Sequence, residues 1–290
     1  MTTTLEVVLH SDDELGEGPW WSVRDHILWR VDILGHLLHS WNPESGQTAQ
    51  WDLGEDIGFA VPDGGGKVIA GLRRGIVLAN LETGEQTELT PTPGTGVGRL
   101  NDGKTDRRGR VWAGTIVSDQ SVPDGAFGYL GQHGFRVQLD GMGISNGLGW
   151  SPNNDTMYVT DSAIRTIWAF DFDLDTASLE NRRVFAMDSD CEPDGLTVDA
   201  EGGVWSAKWD GGRIVRYDPD GTISETVRAP VARPTSCMFG GNELDTLYVT
   251  SARAGLDDAE RSATPAGSVL AVRPGVRGLP EVEAVAVGHA

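Results

Sequence analysis

Short β-type runs with a large central residue recur six times along this 290-residue chain, and their spacing constrains the fold more than any other feature. The central residues, called markers below, are separated by 40, 43, 46, 47 and 43 positions; they are Trp29, Ile69, Trp112, Tyr158, Trp205 and Tyr248. A period of roughly 40 to 50 residues is typical of propeller blades. The sequence therefore predicts an all-β, six-bladed β-propeller with four-stranded antiparallel blades.

The two ends of the chain complete this prediction. The last repeat has β-type runs over 237–239, 246–252 and 268–272 but no recognisable fourth strand, whereas the run at 5–9 belongs to no repeat. Pairing of the N-terminal strand with the last blade would close the ring and cover an exposed sheet edge. We expect one domain over residues 1–290, since neither a β-sandwich pair nor a β-helix fits the period.

The period also predicts where side chains from different blades meet. Eleven or twelve residues before each marker the chain reaches the same point, just before the first predicted strand, where a propeller chain lies nearest its axis. These hub positions hold Glu17, Gly58, Asn101, Asn146, Asp194 and Ser236. Several of them are oxygen donors, and we expect them to converge on one channel mouth.

Composition restricts the partners and the location. A formal net charge of −20 leaves no basic stripe, so we expect neither nucleic acid nor a membrane as a partner. The N-terminal residues lack the basic and apolar regions of a secretion signal, which predicts a cytoplasmic protein. Cys191 and Cys237 both lie near hub positions and could approach each other, but we expect free, partly buried thiols.

Three hub residues indicate a metal site. Glu17 lies in a Gly-Glu-Gly-Pro segment, Asn146 in Ser-Asn-Gly and Asp194 in Pro-Asp-Gly. Two carboxylates and an amide nearly neutralise a hard or borderline divalent cation such as Ca²⁺, Mg²⁺, Mn²⁺ or Zn²⁺. The alternative is three independent β-turns, since Asn-Gly and Asp-Gly are common turn sequences. Their common position in the repeat favours the metal.

A further segment offers groups for a polyhydroxylated ligand or a carbonyl. Asn101 occupies the third hub position, Arg99 lies two residues before it, and Asp102 and Gly103 follow directly. A guanidinium and an amide can hydrogen-bond hydroxyl and carbonyl oxygens, while Asp102 is suited to shaping an Asx turn. We expect Arg99 and Asn101 to face the channel.

The segment 143–147 spells G-x-S-x-G around Ser145, the pattern of a nucleophile elbow. Such an elbow requires a helix after the serine and a histidine downstream. Here a strand-like run and a turn follow, and the only later histidine is His289. Serine-hydrolase chemistry is therefore not expected.

Together these blocks resemble the SMP-30/gluconolactonase/LRE family of six-bladed propellers, the regucalcin-like sugar lactonases. The resemblance covers nearly the whole chain in order, through 16–19, 99–104, 144–147, 193–195, 235–240 and 247–253. It implies hydrolysis of a sugar lactone, such as glucono-, xylono-, arabinono- or galactonolactone, with one divalent ion, Ca, Zn, Mg, Mn or Fe, held by Glu17, Asn146 and Asp194.

The resemblance further implies a role for each candidate residue. Asp194 would also be the general base, and Arg99 and Asn101 would bind the oxygens of the lactone. Asp119, in the excursion between two strands of the third repeat, would contact sugar hydroxyls. Two alternatives stay open: a hydrolase of organophosphates or aryl esters on the same scaffold, and a non-catalytic calcium-binding or protein-interaction module.

Overall fold

The computed structural model describes residues 4–94, 97–117 and 124–285. It contains six four-stranded antiparallel sheets, the blades of a β-propeller, so the predicted fold class is confirmed. The first three blades are formed in chain order by β2 (Gly16–Ser22), β3 (Ile27–Asp32), β4 (Leu37–Trp41) and β5 (Thr48–Asp52); by β6 (Ile57–Pro62), β7 (Lys67–Leu72), β8 (Gly75–Asn80) and β9 (Gln86–Pro91); and by β10 (Val97–Thr105), β11 (Val111–Val117), β12 (Gly125–Gly131) and β13 (Gly134–Met142).

The second half of the ring repeats this pattern. Blades four and five are formed by β14 (Ser145–Trp150), β15 (Thr156–Asp161), β16 (Thr166–Asp173) and β17 (Ser178–Met187), and by β18 (Glu192–Val198), β19 (Val204–Trp209), β20 (Arg213–Tyr217) and β21 (Ile223–Arg228). A 3-10 helix, Ser162–Ile164, follows β15. Blade six contains β22 (Pro234–Gly240), β23 (Thr246–Ser251) and β24 (Val269–Val272), with helix α1 (Asp258–Ala263) between the last two.

The N-terminal strand closes the ring, as predicted. β1 (Glu6–Leu9) pairs antiparallel with β24 and gives blade six the strand order β1-β24-β23-β22. The outer edge of β24 is thereby covered by the opposite end of the chain.

Each pair of neighbouring blades encloses one hydrophobic cluster. Trp112, Leu148 and Phe170 pack between blades three and four, and Trp205 and Phe239 between blades five and six. Every blade thus packs both faces of its sheet against its neighbours. Trp112 and Trp205 are core residues, each 0% exposed, whereas Trp29 is half-buried and stacks on Trp51.

A recurring turn fixes the buried markers. Asp106 and Asp199 each accept backbone hydrogen bonds within the turn after the innermost strand, and their other carboxylate oxygen accepts a hydrogen bond from the indole N–H of Trp112 or Trp205, both at 2.9 Å. The glycine three residues later, Gly202 in the second case, has φ = 89°, a left-handed value that glycine adopts readily. In blades three and five this turn therefore fixes the marker tryptophan.

A β-bulge interrupts the innermost strand of every blade near its hub position. In the fourth blade, for example, Ser145 pairs with Asp161 and Leu148 with Val159, so the inner strand contains one extra residue. The same single insertion occurs in the other five innermost strands. The prediction that hub residues precede the first strand is therefore wrong: they lie inside it, and the bulge redirects their side chains.

The C-terminal segment crosses the far end of the channel, where the innermost strands finish. Residues 277–285, called the strap below, are hydrogen-bonded through their backbone to Ala200, Leu244, Pro62 and Gly109, at 2.8 to 2.9 Å. These partners come from blades five, six, two and three. Within the described part of the chain, no helix is long and apolar enough to cross a membrane.

Candidate active site

A cavity of about 280 Å³ opens at the hub, at the end opposite the strap. Its wall follows the repeat, because four blades each contribute a residue at three equivalent positions. The hub positions give Glu17, Asn101, Asn146 and Asp194; the positions two residues earlier give Leu15, Arg99, Ile144 and Glu192; the positions four residues after each marker give Ile33, Ile116, Ser162 and Trp209. Blades two and six contribute none of the described wall residues.

Five of the six residues expected at the site therefore line one cavity: Glu17, Arg99, Asn101, Asn146 and Asp194. The sixth, Asp119, lies outside the described residues. Trp150, which follows Asn146 closely in the sequence, does not line the cavity but packs against Trp112 in the core, with ring centroids 6.3 Å apart.

The hub leaves room only for small residues where neighbouring blades touch. A Cβ atom on Gly147 would fall 2.5 Å from the backbone nitrogen of Leu196 and 2.6 Å from the carbonyl oxygen of Asp194. Glycine directly after Asn146 thus lets blades four and five approach closely enough to bring Asn146 and Asp194 to the same cavity.

The carboxyl groups at the hub are crowded and desolvated. Glu17 and Asp194 are 7% and 5% exposed. Burial, followed by the charge of Asp102, raises the pKa of Glu17 from 4.5 to about 8. Burial, followed by the charge of Glu17, raises the pKa of Asp194 well above its usual value. Burial also raises the pKa of Asp102, and the nearby charges of Arg99 and Lys104 offset these shifts only in part.

The free oxygen atoms at the hub fit a divalent cation. Among the described residues, Asn146 Oδ1, Asp194 Oδ1 and Asp102 Oδ2 are buried without a hydrogen-bond partner. The carboxylate of Glu17 accepts a hydrogen bond from the backbone N–H of Gly18, at 3.0 Å. Buried carboxylate and amide oxygens without donors are costly alone and are the ligands that hard cations prefer.

Arg99 and Asn101 form a preorganised pair. The Arg99 guanidinium donates hydrogen bonds to Asn101 Oδ1 and to the carbonyl oxygen of Leu100, and burial lowers its pKa. The amide nitrogen of Asn101 donates to the carbonyl oxygen of Ser145 at 2.8 Å. The Asn101 oxygen is thus occupied by Arg99, and both residues keep N–H groups for a ligand.

Sequence reasoning missed Ser162, Glu192 and Trp209. Their signal is present, because they occupy two further positions of the same repeat as the hub residues. Other blades have apolar residues at the equivalent positions, such as Ile33 and Ile116. The sequence therefore gave no chemical reason to select these positions as part of a site.

A second acidic cluster lies at the start of blade five. One ligand atom each from Asp188, Asp190 and Cys191 lie within 4.8 Å of one another. Asp188 is paired with buried Lys208 at 2.6 Å, and Asp190 with Arg213 at 2.8 Å. Burial raises the pKa of the Cys191 thiol to about 11. The carboxylates already have cationic partners, and Cys191 and Cys237 are free thiols, as expected.

The family profile described as SMP-30/Gluconolactonase/LRE-like region matches residues 15–253, which include all the strands of blades one to five. The chain belongs to this family. A 6-deoxy-6-sulfogluconolactonase from Pseudomonas putida is 36% identical to this member, over 97% of the chain and 98% of that relative. A regucalcin from Danio rerio is 37% identical, over 95% and 96%.

A solved structure agrees with this assignment. The regucalcin from Agrobacterium tumefaciens, described as a calcium-binding protein, superimposes with a TM-score of 0.90 at 26% identity, covering 97% of this chain and 96% of that one. The family resemblance expected from the sequence blocks is confirmed.

Proposed function

We propose that this family member is a carboxylic ester hydrolase that opens a sugar lactone to the aldonic acid and uses one divalent metal ion. The observation that carries the proposal is the pair of buried, unpartnered oxygens of Asn146 and Asp194 in the wall of one cavity, with the unpartnered oxygen of Asp102 buried nearby. Similarity to a 6-deoxy-6-sulfogluconolactonase supports a lactone as the substrate.

Glu17, Asn146 and Asp194 would hold the ion, which supplies the positive charge that polarises the lactone carbonyl. Asp194 acts as the general base: its Oδ1 atom has no protein donor and can accept a proton from the attacking water. Burial, followed by the charge of Glu17, raises the pKa of Asp194, and a cation beside the carboxylate would favour its ionised form.

Arg99 and Asn101 orient the substrate. The guanidinium of Arg99 is held by Asn101 and directs its remaining N–H groups to the ring oxygens and to the oxyanion that develops during attack. Trp209 and the isoleucines of the wall offer apolar surface to the C–H faces of the ring. A hydroxyl contact from Asp119 is part of the proposal.

The test is acid release from a panel of aldonolactones after removal of metal and return of single divalent ions, with an aryl ester and a phosphotriester as comparison substrates. Asp194→Ala is expected to lower turnover about 100-fold or more, the range for loss of a general base. Asp220→Ala, an exposed carboxylate in a turn, serves as the matched control.

Faster turnover of the phosphotriester or aryl ester than of every lactone would replace the proposed substrate class. Binding of Ca²⁺ without hydrolysis of any substrate would favour the non-catalytic calcium-binding alternative. Unchanged turnover in Asp194→Ala would remove the mechanism.

A further inference from the structure

Ser162 is the polar exception among the wall residues that follow the markers. The equivalent positions in blades one, three and five hold Ile33, Ile116 and Trp209. Ser162 is 3% exposed and begins the 3-10 helix after β15. A hydroxyl at such a buried position requires partners, and those partners connect two of the residues that would hold the ion.

The hydroxyl of Ser162 bridges blades four and five. It donates to the carbonyl oxygen of Pro193 at 2.6 Å, directly before Asp194 in the chain. It accepts a hydrogen bond from Asn146 Nδ2 at 3.1 Å. A serine hydroxyl has one hydrogen, and a carbonyl can only accept, so this hydrogen is committed to Pro193.

This commitment decides which way the Asn146 amide faces. With its hydrogen on Pro193, the Ser162 oxygen offers only lone pairs to Asn146, and these attract the amide nitrogen. A reversed amide would set Oδ1 against those lone pairs and lose the hydrogen bond that Nδ2 donates to the Ser162 oxygen. The orientation therefore leaves Asn146 Oδ1 free, as observed.

We propose that Ser162 is a positioning residue that turns Asn146 Oδ1 toward the cation site and fixes the adjoining strand of Asp194 beside it. This proposal rests on the proposed function because both use the same metal site. Its central readout is metal binding rather than turnover, so the two can be tested separately. Partners that orient metal ligands typically contribute about 10- to 100-fold to metal affinity.

The experiment measures Mn²⁺ binding by electron paramagnetic resonance of the free ion, because Mn²⁺ prefers oxygen ligands. Ser162→Ala is expected to weaken Mn²⁺ binding about 10-fold or more. The matched control is Ser251→Ala: Ser251 is also buried and donates to a backbone carbonyl, that of Ser268, at 2.7 Å, but does not line the cavity. This control is expected to keep the wild-type Mn²⁺ affinity.

Asn146→Asp provides a second comparison, because both terminal atoms of aspartate are oxygens and its orientation no longer matters. In that background, removal of the Ser162 hydroxyl is expected to weaken Mn²⁺ binding much less than in the wild type, a coupling that a double-mutant cycle measures. Ser162→Cys, whose thiol is a weak donor and acceptor, replaces the alanine variant if the latter does not fold.

Equal Mn²⁺ affinity in Ser162→Ala and wild type, an equal loss in Ser251→Ala, or the same loss in the Asn146→Asp background would each overturn the proposal. Absence of Mn²⁺ binding by the wild type would overturn it as well. A selective loss of Mn²⁺ affinity in Ser162→Ala supports it even where the wild type hydrolyses no lactone, a result that would refute the proposed function alone.

Discussion

Metal-free protein carrying Glu17→Gln is expected to be more stable near neutral pH than the metal-free wild type. Glu17 is buried, and its pKa rises from 4.5 to about 8. Between these pH values the folded chain keeps a proton on Glu17 that the unfolded chain has released. The free energy of unfolding of the wild type therefore falls as the pH rises through this range.

The magnitude follows from the pKa. The pKa of Glu17 rises by about 3.5, from 4.5 to about 8, and each pH unit corresponds to about 1.4 kcal/mol. The free energy of unfolding of the metal-free wild type therefore falls by about 5 kcal/mol in total, a loss that is complete above pH 8. At pH 7 about 3 kcal/mol of this loss is already present. Glutamine carries no charge and removes the contribution of Glu17, and it also removes the repulsion that, after burial, raises the pKa of Asp194.

The assay is urea unfolding followed by tryptophan fluorescence, in the presence of a chelator, from about pH 5 to about pH 8. Glu82→Gln, at an exposed turn position, is the control and is expected to follow the wild type. A saturating divalent ion is expected to flatten the wild-type profile, because the cation replaces the proton. Parallel profiles for Glu17→Gln and the metal-free wild type would refute the reasoning.

Two further substitutions, one of them with a control, test the substrate contacts and the repeat. Arg99→Ala is expected to raise KM for sugar lactones more than it lowers kcat, since it removes donors to the bound ring; steady-state kinetics with KM unchanged would contradict this. Asp199→Asn is expected to lower the free energy of unfolding by about 3 kcal/mol, because Asp199 is 0% exposed and accepts from Trp205 and Arg216. Asp218→Asn removes an exposed partner of the same arginine and is expected to cost less than about 1 kcal/mol in urea unfolding.

The fold could be read from the sequence because one structural unit recurs with its own local chemistry. In blades three and five, the turn that begins at Asp106 or Asp199 fixes the marker tryptophan. The spacing of these large residues therefore reflects the spacing of the blades. The unpaired N-terminal run was equally informative, since an open blade needs a fourth strand.

The site was readable only in part. Hub residues were found through their position in the repeat, but the bulges that turn them inward have no clear sequence pattern and moved them inside the strand. Ser162 and Trp209 were missed because the side-chain directions at the end of a second strand depend on twist and on the neighbouring blade. Trp150 is near Asn146 in sequence, yet it lies at the other end of the same strand.

The strap bears on how a substrate enters the cavity and how a product leaves it. Residues 277–285 cross the far end of the channel, and the cavity opens at the other end. The proposed lactone substrate is uncharged, whereas the proposed aldonate product is an anion. In a chain of net charge −20, electrostatic repulsion favours release of an anionic product over its rebinding. The acidity of the protein thus disfavours retention of the product in the cavity.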